Sequence, residues 1–296
     1  MRKMLITGAS GSIGMPIVRE LYSKANYEIY VTTTGRKEVE FPEGVNVVTA
    51  NLLIRDQSIR LIEDIQPEVM IHLAWKVSEP GYMTSKSNLL WLEDSLFILR
   101  KFIELGGKYF AFAGSCSEYG QFRGHTENDD ARNMSLYGQC KNSFHKTAQS
   151  LCSNSGVDYV NLRFFNTPGG GFMTRVAEAV EAFAAGEEFT CRYHPFSIFD
   201  YTCCDDAARA ACEIILRQYI GVVNIGSGIP RVMNDVFKTV AKKMDAEHLL
   251  HFDYEMENLE IQLANTNVLN KIIGFETATD FDETLEYMIA SAGKEA

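Results

Sequence analysis

The feature that most constrains the fold lies at the start of the chain. The apolar run Met4-Leu5-Ile6 passes straight into Thr7-Gly8-Ala9-Ser10-Gly11-Ser12-Ile13-Gly14 and then into a helical pattern. Glycines between a strand and a helix permit a tight turn, close approach of a phosphate to the backbone, and packing of the helix on the strand, while the free N–H groups of the first helical turn face the anion. Gly8, Gly11 and Gly14, with Ser10, Ser12 and Ile13 between them, are therefore expected to cradle the pyrophosphate of a dinucleotide. The end of the second strand selects which dinucleotide, because a carboxylate there binds a ribose 2′-hydroxyl whereas an arginine suits a 2′-phosphate. That segment reads Thr32-Thr33-Thr34-Gly35-Arg36-Lys37, without a carboxylate. Arg36 offers a planar set of donors, so NADP(H) is favoured over NAD(H).

Further β-branched or apolar runs follow at Glu28-Thr33, Val45-Thr49, Val69-Leu73, Tyr109-Ala113, Tyr159-Phe164 and Val222-Ile225, separated mostly by amphipathic stretches. Such alternation predicts an α/β fold, a Rossmann-like doubly wound parallel sheet with a smaller C-terminal substrate lobe. Two long helices are predicted, Ser87 to Leu105 and Leu136 to Asn154, the first with Leu89, Leu90, Leu92, Leu96 and Leu99 among its apolar positions. They are the expected contact of a homodimer. After Phe165 the spacing becomes irregular, through Pro168 and Gly169-Gly170-Gly171 to Asp200. Residues 1–165, rejoined by about 196–228, are thus assigned to the dinucleotide-binding domain, and 166–195 with 229–296 to the substrate lobe. From Ser291 onward a frayed tail is expected.

Composition excludes several function classes. No run approaches the ~18 apolar residues of a membrane helix, and a first strand near Lys3 leaves no room for a signal peptide, so a cytoplasmic protein is expected. Seven cysteines without a C-x-x-C pair suit reduced thiols, with neither a disulfide framework nor a metal site indicated. A formal charge of -11 disfavours nucleic acid as a partner. Cys203-Cys204 reads as buried apolar filling, Asp205-Asp206 as a helix cap, and His72 as a hydrogen-bonded core residue.

Tyr137 and Lys141 stand four apart on a predicted helix, so both project from one face. A tyrosine titrates near pH ~10 when unperturbed, and a neighbouring ammonium favours its phenolate, bringing the group towards useful acid/base range. Upstream, the strand at 109–113 ends in Gly114-Ser115-Cys116-Ser117-Glu118-Tyr119-Gly120. That places small hydroxyls at the carboxyl edge of the sheet, where ligands bind. Ser115 is positioned to hydrogen-bond the oxygen that Tyr137 protonates.

With these segments, together with His72-Leu73-Ala74, Leu162-Arg163-Phe164-Phe165-Asn166, Asp200-Tyr201, Asn224-Ile225-Gly226-Ser227-Gly228 and Leu269 to Phe275, the chain resembles the extended short-chain dehydrogenase/reductases over nearly its whole length. These are NAD(P)-dependent nucleotide-sugar epimerases, dehydratases and reductases. The resemblance implies that Ser115, Tyr137 and Lys141 form the catalytic triad, Lys141 also holding the nicotinamide ribose. Ala74 would line the cofactor with Leu73 and Phe164 nearby, Asn51 would approach the adenine beside Leu52, and Asn88 would help order the site. Asn166 would contact the sugar diphosphate, and Trp75 would either flank the sugar or pack the sheet edge.

Departures from the family pattern narrow the reaction. Sugar dehydratases of this kind follow the catalytic Ser/Thr with acids, whereas Cys116 and Ser117 follow Ser115 here and line the substrate side instead. Phe199 stands where an arginine often precedes Asp200, leaving Arg163, Arg175, Arg192 and Arg231 as substitutes for the diphosphate, with Arg192 and Arg231 better placed. The expected activity is NADPH-dependent reduction of a nucleotide-linked 4-keto-6-deoxyhexose. The alternatives are a nucleotide-sugar 4-epimerase with retained NAD and a non-catalytic NADP(H)-binding sensor.

Overall fold

The computed structural model describes residues 2–36, 39–77, 81–120, 126–129, 134–168, 175–254 and 259–291. The chain runs β1 (Arg2–Thr7), α1 (Gly14–Lys24), β2 (Tyr27–Thr33), β3 (Asn46–Thr49), α2 (Arg55–Ile65), β4 (Val69–His72), α3 (Ser87–Glu104), β5 (Tyr109–Ser115), α4 (Leu136–Ser155) and β6 (Asp158–Phe164). It continues through α5 (Arg175–Ala184), β7 (Phe189–Cys191), β8 (Ile198–Asp200), α6 (Cys204–Leu216), β9 (Gly221–Ile225), β10 (Pro230–Val232) and α7 (Met233–Lys243). Last come β11 (Leu250–Phe252), β12 (Ile261–Gln262), α8 (Asn267–Ile273) and α9 (Phe281–Ser291). Seven strands form one parallel sheet in the order β3-β2-β1-β4-β5-β6-β9. This is the doubly wound Rossmann-like arrangement, and its strand order reverses between β1 and β4, the place where such sheets open a crevice for ligands.

Both faces of the sheet are covered. Ile17, Val18 and Leu21 of α1, the alanines of α6 and Leu269 of α8 pack one face, while Leu61 of α2, Leu99 and Phe102 of α3 and Phe144 of α4 pack the other. Strands buried on both sides carry continuous rather than alternating apolar residues, which is why all seven residues of β5 are buried. The seven strands expected from sequence coincide with these, and the two long helices end within one residue of their predicted limits. β5 runs two residues beyond Ala113 because Gly114 and Ser115 keep register with Arg163 and Phe164 of β6. Among the described residues no helix is long and apolar enough to cross a membrane.

The remaining strands form a small β10-β8-β12 sheet and a β11-β7 pair. They pack with α5, α7 and α9 around Phe183, Phe189, Phe237 and Leu285. β8 lies within the 196–228 stretch assigned to the sheet domain, yet it pairs with β10 and β12. Asp200 at its end joins the two parts, accepting from the N–H and hydroxyl of Ser227 (2.9 and 2.6 Å), the N–H of Gly228 (2.8 Å) and the N–H of Ala264 (3.3 Å). The Gly169-Gly170-Gly171 turn and residues 292–296 of the expected tail lie outside the described residues.

Two sequence readings are corrected around α6. Its N-cap is Cys203, without a side-chain cap bond, so Asp205 and Asp206 sit in the first turn instead of capping it. Asp206 turns away to accept the N–H groups of Ala278 and Thr279 and to pair with Arg209. Cys204 is buried, but Cys203 is only half-buried and is not core filling.

His72 is a satisfied core residue, with Nδ1 2.8 Å from Thr7 Oγ1 and Nε2 2.9 Å from Ser95 Oγ. Burial, with the charge of Lys141 adding to it, pulls its pKa down to about 3. Burial likewise pulls His145 down to about 4. Because both folded values lie below the unfolded one, the unfolded chain takes up protons first as pH falls below 6.5, and stability drops. Between pH 6.5 and 5.5 each histidine is expected to contribute a slope approaching ~1.4 kcal/mol per pH unit. Thermal melts across that interval should show Tm falling with pH; a flat Tm would contradict the burial of both neutral imidazoles.

Candidate active site

The site begins where β5 leaves the sheet. Ser115 ends the strand and caps a single 3-10 turn, Cys116–Glu118, its Oγ accepting the Ser117 N–H at 3.1 Å. Glu118 closes the turn from below. One carboxylate oxygen accepts the Ser115 N–H at 2.9 Å, and the other accepts from Asn161 Nδ2 at 2.8 Å and Arg163 Nε at 2.9 Å. The side chains of Glu118 and Arg163 are 0% and 6% exposed, so this ion pair lies inside the protein.

α4 then meets the turn. Ser135 caps it by accepting the Gly138 N–H, and the N–H of Tyr137 donates to the carbonyl of Met83. Gly138 is required because any β-carbon would collide with the Ser117 carbonyl. The close approach brings the Tyr137 phenol to the same cavity wall as Ser115. Tyr82 meets the Tyr137 ring edge-on with centroids 5.2 Å apart, and Trp75 does so at 6.3 Å. One helical turn on, Lys141 donates from Nζ to the Ala113 carbonyl at 2.7 Å, with its ammonium 4.2 Å from the Trp75 ring centre and 4.6 Å from that of Phe112.

Electrostatics here differ from the sequence expectation. Burial, reinforced by Tyr82, pushes the Tyr137 phenol well above its ordinary pKa, and the hydrogen bond from Ser115 offsets only part of this. Burial also pulls Lys141 down to about 7, with Glu118 opposing. Desolvation thus outweighs the pairing of phenol with ammonium, and Tyr137 is held as a neutral acid.

A cavity of about 670 Å³ opens above these groups. Ser115, Cys116, Ser117, Tyr137 and Lys141 line it, as do Ile13, Leu73, Trp75 and Phe164 at the sheet edge and Asn166 on the lobe side. Ala74 is buried beneath the glycine turn, its N–H 3.4 Å from Thr7 Oγ1. Gly8 takes φ +71°, a conformation that favours glycine, and its carbonyl accepts the Gly11 N–H at 3.1 Å. Ser10 and Ser12 lie in this turn, and α1 begins at Gly14 without a side-chain cap, the N–H groups of Met15 and Ile17 donating to the carbonyls of Gly11 and Ile13. Arg36 is exposed in the turn after β2. Asn51 accepts the Leu53 N–H at 3.1 Å, and Leu52 is buried beside it.

Some expected residues stand elsewhere or serve otherwise. Arg192 is 63% exposed, lies 3.6 Å from Asp253, and does not line the cavity. Arg231 stacks at 3.9 Å on the Phe281 ring in a separate small hollow, its buried Nε without a partner among the described residues. Arg163 is committed to Glu118. Instead Arg175 lines the cavity, ion-paired with Glu178. Asn166 donates to the Asp200 carbonyl at 3.0 Å and to Gln262 Oε1 at 3.4 Å. Asn88 accepts from Trp75 Nε1 at 2.8 Å and donates to the Tyr82 carbonyl at 2.6 Å, so it orders both aromatic neighbours of Tyr137. Tyr82, Tyr193 and Gln262 also line the site and were not foreseen, because the first two come from irregular segments and the third from the two-residue strand β12, none with a motif; only the aromatic character of the first two was a signal.

A profile of the NAD dependent epimerase/dehydratase family matches residues 4–226. The chain is 24% identical over 264 residues to the dTDP-6-deoxy-L-talose 4-dehydrogenase (NAD(+)) of Aggregatibacter actinomycetemcomitans, spanning 83% of this chain and 91% of that protein. Its fold is that of the UDP-glucose 4-epimerase of Thermotoga maritima with UDP-glucose, at TM-score 0.81, 23% identity and 99% of both chains. The UDP-glucose 4-epimerase of Thermus thermophilus in complex with NAD aligns at TM-score 0.80, 22% identity and 98% of both chains.

Replacing Glu118 with alanine is expected to cost on the order of 3–5 kcal/mol, since it leaves the Arg163 charge buried without its partner. Urea unfolding measures this as a lower midpoint, with Glu118→Gln losing less. An unchanged midpoint in Glu118→Ala would contradict the buried pair.

Proposed function

The chain belongs to the NAD dependent epimerase/dehydratase family, and from that premise we propose that it reduces a nucleotide-linked 4-keto-6-deoxyhexose to the 4-hydroxy sugar at the expense of NADPH. One observation carries this reading: a Tyr137 phenol kept neutral by burial lines a sugar-sized cavity together with Ser115, while the acid of the adjoining turn, Glu118, is wholly engaged beneath it. The first property supports protonation of a carbonyl oxygen. The second weighs against elimination of water, which needs a carboxylate free to act there.

The donor set fits a nicotinamide dinucleotide. Gly8, Ser10, Gly11, Ser12, Ile13 and Gly14 would hold its pyrophosphate at the uncapped N-terminus of α1. Arg36 would pair with a 2′-phosphate, Asn51 and Leu52 would flank the adenine, and Leu73, Ala74 and Phe164 would lie along the nicotinamide half. Bound there, the nicotinamide supplies the hydride for the keto carbon. Ser115 donates a hydrogen bond to the keto oxygen and Tyr137 gives it a proton as negative charge develops. Protonated Lys141 then stabilises the phenolate, which otherwise stands in a desolvated site.

Trp75, Cys116, Ser117 and Asn166 would bound the sugar, with Arg175, in place of Arg192 and Arg231, meeting the diphosphate. Residues 1–165 and 196–228 would thus serve mainly the cofactor and the remainder the substrate. The dTDP-6-deoxy-L-talose 4-dehydrogenase supports the 4-position and the 6-deoxy sugar, since its name describes the reverse oxidation. Its NAD(+) and that of the Thermus epimerase leave the NADP(H) preference resting on Arg36. The likeness to epimerases favours a second reading, 4-epimerisation with retained NAD, which would release stoichiometric NAD on heat denaturation. Leu89 and Leu90, both exposed on α3, support a homodimer through α3 and α4.

Tyr137→Phe is expected to lower kcat by about 10²–10⁴-fold, the usual contribution of a positioned acid, with NADPH binding unchanged. Comparable turnover by the variant would remove Tyr137 from the reaction. Arg36→Ala should raise KM for NADPH about tenfold, the equivalent of one charge-assisted contact, and leave KM for NADH unaltered. Equal effects on both cofactors would overturn the NADP(H) preference.

A further inference from the structure

Away from the cavity, Cys203, Cys204 and Asp205 take no part in the proposed reaction, yet their two Sγ atoms and a carboxylate oxygen all lie within 4.8 Å of one another. The three side chains grade from interior to solvent: Cys204 is buried, Cys203 half-buried and Asp205 exposed. Cys203 also borders the small hollow that Ser227, Arg231 and Thr279 line. An ion therefore has a way in. The pair is adjacent, without C-x-x-C spacing, which is why the sequence alone points to no metal.

We propose that Cys203, Cys204 and Asp205 bind one thiophilic divalent cation of the zinc class, with a fourth coordination position open to solvent. Two sulfurs and one oxygen are the donors of a borderline-soft tetrahedral ion and not of calcium or magnesium, which take oxygen. Bonds of ~2.3 Å to sulfur and ~2.1 Å to oxygen in tetrahedral geometry set donor separations of roughly 3.5–3.8 Å. Reaching them from at most 4.8 Å needs a shift of about an ångström, within the scope of side-chain torsion.

The place in the fold suits the complex. Two thiolates and a carboxylate around a divalent ion carry one net negative charge, and they would sit at the start of α6, where the helix dipole favours an anion. Asp206 is not a competing ligand, because its oxygens are held by Ala278, Thr279 and Arg209. On binding, each thiol gives its proton to solvent and a sulfur lone pair to the ion, so two protons leave per ion.

The test uses the full-length, reduced, metal-free protein with Cd2+ as probe. Titration should raise an ultraviolet thiolate-to-cadmium charge-transfer band that saturates at one equivalent, with two protons released. Zn2+ should displace the Cd2+. Of the other five cysteines, all buried, Cys116 lines the active-site cavity, so Cys116→Ser is the control and should leave the band unchanged. Cys203→Ser should weaken Cd2+ binding beyond the roughly 10–100-fold that loss of a merely supporting hydrogen bond costs. Asp205→Asn, a change at an exposed position, should weaken it about tenfold with little effect on Tm. Absence of the band at one equivalent, or Kd values unchanged in both variants, would overturn the site.

Discussion

The candidate site hangs on the buried ion pair between Glu118 and Arg163. Two charges this far from water are tolerable only when every strong donor and acceptor is matched, and both oxygens of Glu118 are used. The consequence is geometric. One oxygen fixes the Ser115 N–H, which ends β5; the other ties the turn to Asn161 and Arg163 of β6, the next strand of the sheet. The turn is thereby rigid enough for α4 to dock against it at Gly138, and that docking brings Tyr137 to the cavity that Ser115 lines. A carboxylate that does not line the cavity therefore positions the groups that do.

The same low-dielectric surroundings tune the chemistry. Charge separation between Tyr137 and Lys141 is discouraged by burial, and the phenol stays protonated. A phenol in that state is a proton donor in waiting, suited to a reaction in which negative charge appears on an oxygen beside it. Asn88 contributes at one remove, holding Trp75 against Lys141 and Tyr82 against Tyr137.

Much of this was legible in the sequence because it is local. The strands announced themselves as short apolar runs, and the glycine turn, Ser115 and the Tyr137/Lys141 spacing each lie within one element and the turn beside it. Three things were not legible. The acid strength of Tyr137 depends on burial, which spacing does not reveal, so the expected drive towards phenolate is reversed. Among the arginines, Arg175 and not Arg192 faces the cavity, because the lobe's packing decides which way each element turns. Asp206 bonds a loop some seventy residues later, where a local reading saw only a helix cap. Non-local contacts are what single-sequence patterns omit.

The central claim is that hydride enters the sugar at C4 from a consumed NADPH while Tyr137 supplies the proton. Its most direct measurement is turnover of a nucleotide-linked 4-keto-6-deoxyhexose with NADPH deuterated at the transferred position of nicotinamide C4, followed by mass and NMR analysis of the product. The account predicts one deuterium at sugar C4 for each NADPH oxidised. Product without deuterium at C4, or interconversion of 4-hydroxy sugars without net oxidation of NADPH, would contradict it.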